Sequence, residues 1–216
     1  MTDWSATGDM LQGIGAILGA VAVFTAAIVG GTTLRRWRQQ KLSERRIEQA
    51  ERILTATYKA RRSLSRVRSP MMLPHEFDAA ETSLKESGTW DKIVGGEEEH
   101  RRYATSQAYY NRLASTRDDQ SALEECQPMA RALFGEELEK AIEKLNHQFW
   151  TVQVYVDANH RHKEGSDPVF RRKIESTIWE GYPSPEENEV DQTIAAQVRT
   201  IERICVPVLR LEGGKA

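Results

Sequence analysis

The sequence predicts an all-α protein with one amino-terminal transmembrane helix, a basic stalk helix continuing from it and a cytoplasmic helical bundle. Three observations carry that reading. From Met10 to Leu34 there are 25 residues without Asp, Glu, Lys or Arg, 16 of them apolar. Beyond them, apolar residues recur three and four apart within segments bounded by glycine and proline, the spacing of one helix face. No segment alternates apolar and polar residues with the period of two that a half-buried strand requires.

The average composition, 216 residues with 39% apolar, 29% charged and a net charge of −2, is that of an ordinary soluble protein. It hides a segregation. Residues 35–68 hold 12 Lys/Arg against 3 Asp/Glu, whereas residues 69–216 hold 18 basic and 27 acidic residues. These counts exclude collagen, a coiled-coil fibre and a wholly disordered chain. Two cysteines, Cys126 and Cys205, are too few for a disulfide framework.

Residues 1–9 are expected to form a short extracytoplasmic tail and residues 10–34 the span. Twenty-five residues at about 1.5 Å each give roughly 37 Å of helix, enough for a hydrocarbon core of about 30 Å with some tilt. Ala20-Val21-Ala22 has the form of a signal-peptidase site, but residues 1–9 contain Asp3 and Asp9 and no Lys or Arg, so the positive leader of a signal peptide is missing. Arg35, Arg36, Arg38, Lys41, Arg45 and Arg46 follow the span, opposed only by Glu44. Basic flanks stay in the cytoplasm, which puts the amino terminus outside, the remainder inside and, in a bacterium, the span in the inner membrane. The same six residues are the expected contacts to anionic lipid, at about 1 kcal/mol each close to the surface. Trp4 and Trp37 bracket the span at the two interfaces. Gly15, Gly19, Ala22, Ala26 and Gly30 form one stripe of small residues, including a G-x-x-x-G, along which two such helices can approach closely and pair. A water-filled pore is not expected, because the span offers no ionisable residue to line one.

Nothing interrupts the helix from residue 34 to residue 68. Ile47, Ala50, Leu54, Thr57, Ala60, Leu64 and Val67 mark one apolar edge, and Ser69-Pro70 ends the run. The acidic domain, residues 69–216, then reads as a series of helices. His75–Glu86 is amphipathic through Phe77, Ala80 and Leu84. Residues 97–115 start after Gly95-Gly96 and place Tyr103, Tyr110 and Leu113 inward. Residues 122–133 form a helix around Pro128, capped by Gly135. Glu136–His160 carries Leu138, Ile142, Leu145, Phe149, Val152 and Val156 in strict heptad order, which demands an antiparallel partner, either the tail helix or the stalk. Asp167-Pro168 opens a helix to Trp179 in the N-cap and N1 pattern. The tail helix, residues 185–209, shows Val190, Ile194, Val198, Ile201 and Cys205 on one face.

Chemistry-bearing motifs are sparse. There is no phosphate-binding G-x-x-x-x-G-K-[ST], no H-E-x-x-H and no cysteine pair at ligand spacing, so no cofactor or metal is expected. His160-Arg161-His162 reads as a solvated helix end, since residues two apart on a helix diverge by about 200°. Glu97-Glu98-Glu99 suits a helix start against the dipole, and both cysteines read as packing residues in a reducing compartment. With only Trp37 and Tyr58 as aromatics among its basic residues, the stalk is not expected to bind nucleic acid; a contact with the acidic domain of a neighbour is the second use for its charge.

Arg68 and His75, with six residues between them, resemble the R-x(4–6)-H signature of HEPN-type ribonucleases, small all-helical domains. That resemblance implies an Arg and a His meeting at a dimer interface to position and protonate a scissile phosphate. Here the intervening segment contains Pro70 and Pro74, where the motif normally lies on a helix. The plan of the whole chain, one amino-terminal span, a basic helix such as Leu34-Arg-Arg-Trp-Arg-Gln-Gln40 and a cytoplasmic helical domain, resembles uncharacterised bacterial single-pass inner-membrane proteins. It implies topology and no activity. The expected function is a non-enzymatic, self-associating scaffold that presents its cytoplasmic domain to a protein partner. A membrane-tethered nuclease using Arg68 and His75, or a membrane-disrupting effector, is the rival.

Overall fold

The computed structural model describes the backbone of residues 4–161 and 167–210, and side chains from Gly30 onward except Thr32. The chain divides into two compact units, Met1–Ile47 and Glu48–Ala216. All regular structure among the described residues is helical. Helix α1 (Trp4–Val67) contributes to both units.

In the first unit α1 exposes Leu34, Trp37 and Leu42 together with the basic residues between them. Among the described residues, no helix is long and apolar enough to cross a membrane. Most of the uncharged segment 10–34 has its side chains outside those described, and of the small-residue stripe only Gly30 lies within them; Gly15, Gly19, Ala22 and Ala26 do not.

The second unit is a helical bundle built from the end of α1, α2 (Pro74–Glu86), a 3-10 turn at Trp90–Lys92, α3 (Glu97–Ala114), α4 (Arg117–Glu124), α5 (Gln127–Phe134), α6 (Glu136–Arg161), α7 (Pro168–Ile178) and α8 (Glu189–Leu209). From Ala50 onward α1 is a core helix: Ala50, Ile53, Leu54, Ala60, Leu64 and Val67 are buried, as helical spacing requires of one apolar edge. The heptad of α6 is fully inside, with Leu138, Ile142, Leu145, Phe149, Val152 and Val156 at most 2% exposed. Of the two expected partners, the tail helix and the stalk, the tail helix α8 packs on α6, with Val190, Ile194, Val198, Ile201 and Cys205 buried, and α3, α4, α5 and α7 also pack on α6. Helix α2 pairs with α3.

Local rules explain most boundaries. Asp167 caps α7, accepting from Val169 N at 2.9 Å with Pro168 behind it. Glu76 of α2 reaches back to Leu73 N at 2.8 Å. Gly95 precedes α3 at φ +155, where an added Cβ would stand 2.7 Å from Glu99 Cβ. Two expected helices differ. Residues 122–133 are not continuous: α4 ends at Glu124 and α5 begins at Gln127, because Pro128 has no N–H and its ring would clash with the carbonyl of Glu124. The tail helix starts at Glu189, not residue 185, with Asn188 as its cap accepting from Asp191 N at 3.0 Å. In α3 the buried face is Ala104, Ser106, Ala108, Tyr109 and Arg112, whereas Tyr103, Tyr110 and Leu113 are half-buried.

Candidate functional site

The end of α1 delivers Arg68 into the bundle. It follows the last helical residue, Val67, and Ser69-Pro70 then turns the chain, so the side chain enters the protein where the helix stops. Arg68 is 1% exposed. Its guanidinium donates to Thr177 O at 2.8 Å, Trp179 O at 3.1 Å, Ser176 O at 3.3 Å and Asn188 Oδ1 at 3.0 Å, and forms a short ion pair with Asp191. A planar fork with five N–H groups suits such a set, and the carbonyls are the orphan acceptors at the end of α7.

Asn188 completes the arrangement from the start of α8. Its amide donates to Ser176 O at 2.7 Å, Trp179 O at 3.1 Å and Tyr182 O at 2.7 Å, and the second oxygen of Asp191 accepts from Gly181 N at 2.7 Å. The main chain of Arg68 closes the link by accepting from Glu180 N at 2.8 Å.

A second buried guanidinium, Arg112 of α3, holds the turn between α1 and α2. It donates to both oxygens of Glu76 at 2.7 Å, to Met71 O at 2.6 Å and to Ser69 O at 2.8 Å. That bidentate bond holds the Glu76 carboxyl at about 2, well below its ordinary range, with Leu73 N adding to the effect against the cost of burial. The Arg112 guanidinium also sits 5.6 Å from the centre of the Tyr109 ring, and Tyr109 OH accepts from Trp179 Nε1 at 3.0 Å. The two arginine clusters are thereby joined through Tyr109 and Trp179. Burial raises the Tyr109 phenol.

Beside this junction lies a cleft of about 330 Å³, with Met72, Phe77, Ile178 and Trp179 as apolar walls and Arg101 among its polar lining. Chemically the junction is a tie. Its cations face carboxylates and carbonyls already satisfied, and no nucleophile with an adjacent base is presented. Among the described residues no group of three or more His, Cys, Asp or Glu could hold a metal.

The residues singled out from sequence fall as follows. Arg68 turns to the junction of α7 and α8, while His75 is exposed on the first turn of α2, so the acid that joins this region is Glu76. Arg35, Arg36, Arg38, Lys41, Arg45 and Arg46 are all exposed, with Lys41 paired to Glu44 at 2.7 Å. His160 contacts Ser106 Oγ at 3.1 Å and the edge of Tyr103, and burial lowers its pKa; His162 lies outside the described residues. Both cysteines are buried, which raises the Cys126 thiol and pushes Cys205 up to about 12. Of the acidic run, Glu99 pairs with Arg102. Sequence reasoning missed Arg112, Glu76, Asn188 and Asp191. The available signals were a glutamate at the third position of a proline-started helix and an asparagine one residue before the helical spacing of α8 begins.

In comparison with known proteins, no family model, no curated protein and no solved structure matches the chain.

Proposed function

We propose that this chain is a membrane-anchored scaffold: a single span over residues 10–34 inserts in a bacterial inner membrane, pairs with a second copy and presents a cytoplasmic helical domain to a protein partner. The observation that carries it is the order of segments within α1. Twenty-five uncharged residues are followed by the six basic residues of positions 35–46, all exposed, and then by the core edge of a bundle. Exposed cations beside an apolar segment suit contact with anionic headgroups. Arg68, the arginine of the nuclease alternative, is committed to structural acceptors. Self-association through Gly15, Gly19, Ala22, Ala26 and Gly30 supplies the assembly.

Topology is the direct test. A reporter active only in the cytoplasm, fused after Ala216, gives signal in a bacterial host, and a periplasm-only reporter at the same place stays silent. The reverse pattern, or recovery of the full chain in the soluble fraction, would overturn the anchored reading.

A further inference from the structure

We propose that the cleft between α1 and α4 lined by Lys59, Arg62, Ser63, Arg66 and Asp119 binds a phosphate group, carried either by a small soluble molecule or by a lipid headgroup. Its volume is about 270 Å³. Lys59, Arg62 and Arg66 lie three and four residues apart on α1, so their side chains share one helix face and line one wall. All three are exposed, and among the described residues no ion pair engages any of them.

Residues 69–216 carry 27 acids against 18 bases, and some cations of the bundle meet a carboxylate, among them Arg52 with Glu125, Arg68 with Asp191, Arg112 with Glu76, Arg131 with Glu139, Lys173 with Glu189 and Arg203 with Glu137, whereas the three that line this cleft do not. Like charges three and four apart on a helix oppose its formation, so folding gains nothing from gathering Lys59 and Arg62 there. Arg66 alone has a structural reason, near the negative end of α1.

The opposite wall sets the selectivity. Ser63 is buried and donates to Asp119 Oδ2 at 2.5 Å, which fixes the one carboxylate among the described lining residues at one edge. Three cations against one carboxylate leave a net charge of +2 facing the space. Arg62 and Arg66 supply planar forks that match phosphate oxygens, and Lys59 supplies a point charge.

The test uses the full chain, reconstituted in phosphatidylcholine nanodiscs, with pyrophosphate titrated at low salt and followed by calorimetry. The parent binds, and the variant with Lys59→Gln, Arg62→Gln and Arg66→Gln loses at least tenfold in affinity with an unchanged helical spectrum. Asp119→Asn keeps an acceptor for Ser63 and removes the opposing charge, so it tightens binding several-fold. In a second arm the nanodiscs carry phosphatidylinositol 4-phosphate, and headgroup binding is compared between parent and triple variant. A difference in the first arm assigns a soluble phosphate; a difference confined to the second assigns a headgroup. A parent that binds neither, or a triple variant that binds both as the parent does, overturns the site.

Discussion

Two buried guanidinium groups hold the turn that follows α1, and their side chains set the sharpest tests at residue scale. Arg68→Met removes the donor shared by the carbonyls of Ser176, Thr177 and Trp179 and leaves Asp191 without its cation. Breaking a buried pair in this way costs about 3–5 kcal/mol, read as a shift of the urea midpoint. Arg68→Lys keeps a charge near Asp191 but cannot span the planar set, and a loss of about 2 kcal/mol is expected. Equal midpoints for Lys and Arg would mean that charge alone matters. Glu76 gives a pH signature. Its folded pKa lies near 2 because Arg112 binds the ionised form, against an ordinary value of 4.5. A depressed folded value means that the contribution is complete above the unfolded pKa and is lost as pH falls from about 4.5 through about 2. Stability measured down that range should fall more steeply for the parent than for Glu76→Gln, whose side chain does not titrate; parallel curves would remove Glu76 from the acid response.

At the scale of elements, α6 organises the bundle because its heptad is covered by α8 on one side and by α3, α5 and α7 on others. Leu145 is fully buried, and Leu145→Ala should cost about 2–5 kcal/mol through lost transfer energy and a residual cavity. Trp150 lies on the same helix 57% exposed, stacked on His147, and Trp150→Ala should stay within about 1 kcal/mol. Thermal unfolding of both variants separates core from surface; comparable losses would mean that a partner or a second copy covers Trp150 in solution. The break between α4 and α5 follows the same logic of one residue deciding an element. Pro128 occupies the first turn of α5, where a missing N–H costs nothing.

The molecule as a whole is organised by charge: an uncharged segment, a basic one and an acidic bundle in that order. The proposed assembly is testable through the small residues of the first. On the proposed anchored reading, replacing Gly15 and Gly19 with Ile raises hydrophobicity, should leave insertion intact and should weaken pairing of the segment by about 1–2 kcal/mol if close backbone approach drives it. Leu18→Ile with Val21→Ile, off the stripe, should do much less. Crosslinking in membranes compares the two pairs of substitutions, and a glycine variant that pairs like the parent would move any oligomer to the helices of the bundle.

The sequence by itself determined the helical class and the inward faces of α1, α6 and α8, because periodicity records which side of a helix is buried and needs no partner to be read. It also located the start of α7, where a cap and a proline act on their own few residues. Only the tertiary structure decided that Arg68 and Arg112 are interior. Their partners lie 36 to 123 residues away, on Glu76, Asn188, Asp191 and the carbonyls ending α7. An arginine on a helix reads as solvated until a chain remote in sequence supplies acceptors, since burial of a charge is set by what surrounds it and not by its neighbours along the chain. The same reason hid the cleft at Lys59, Arg62 and Arg66: three cations on one face are visible in sequence, but the wall that makes a cleft of them comes from α4.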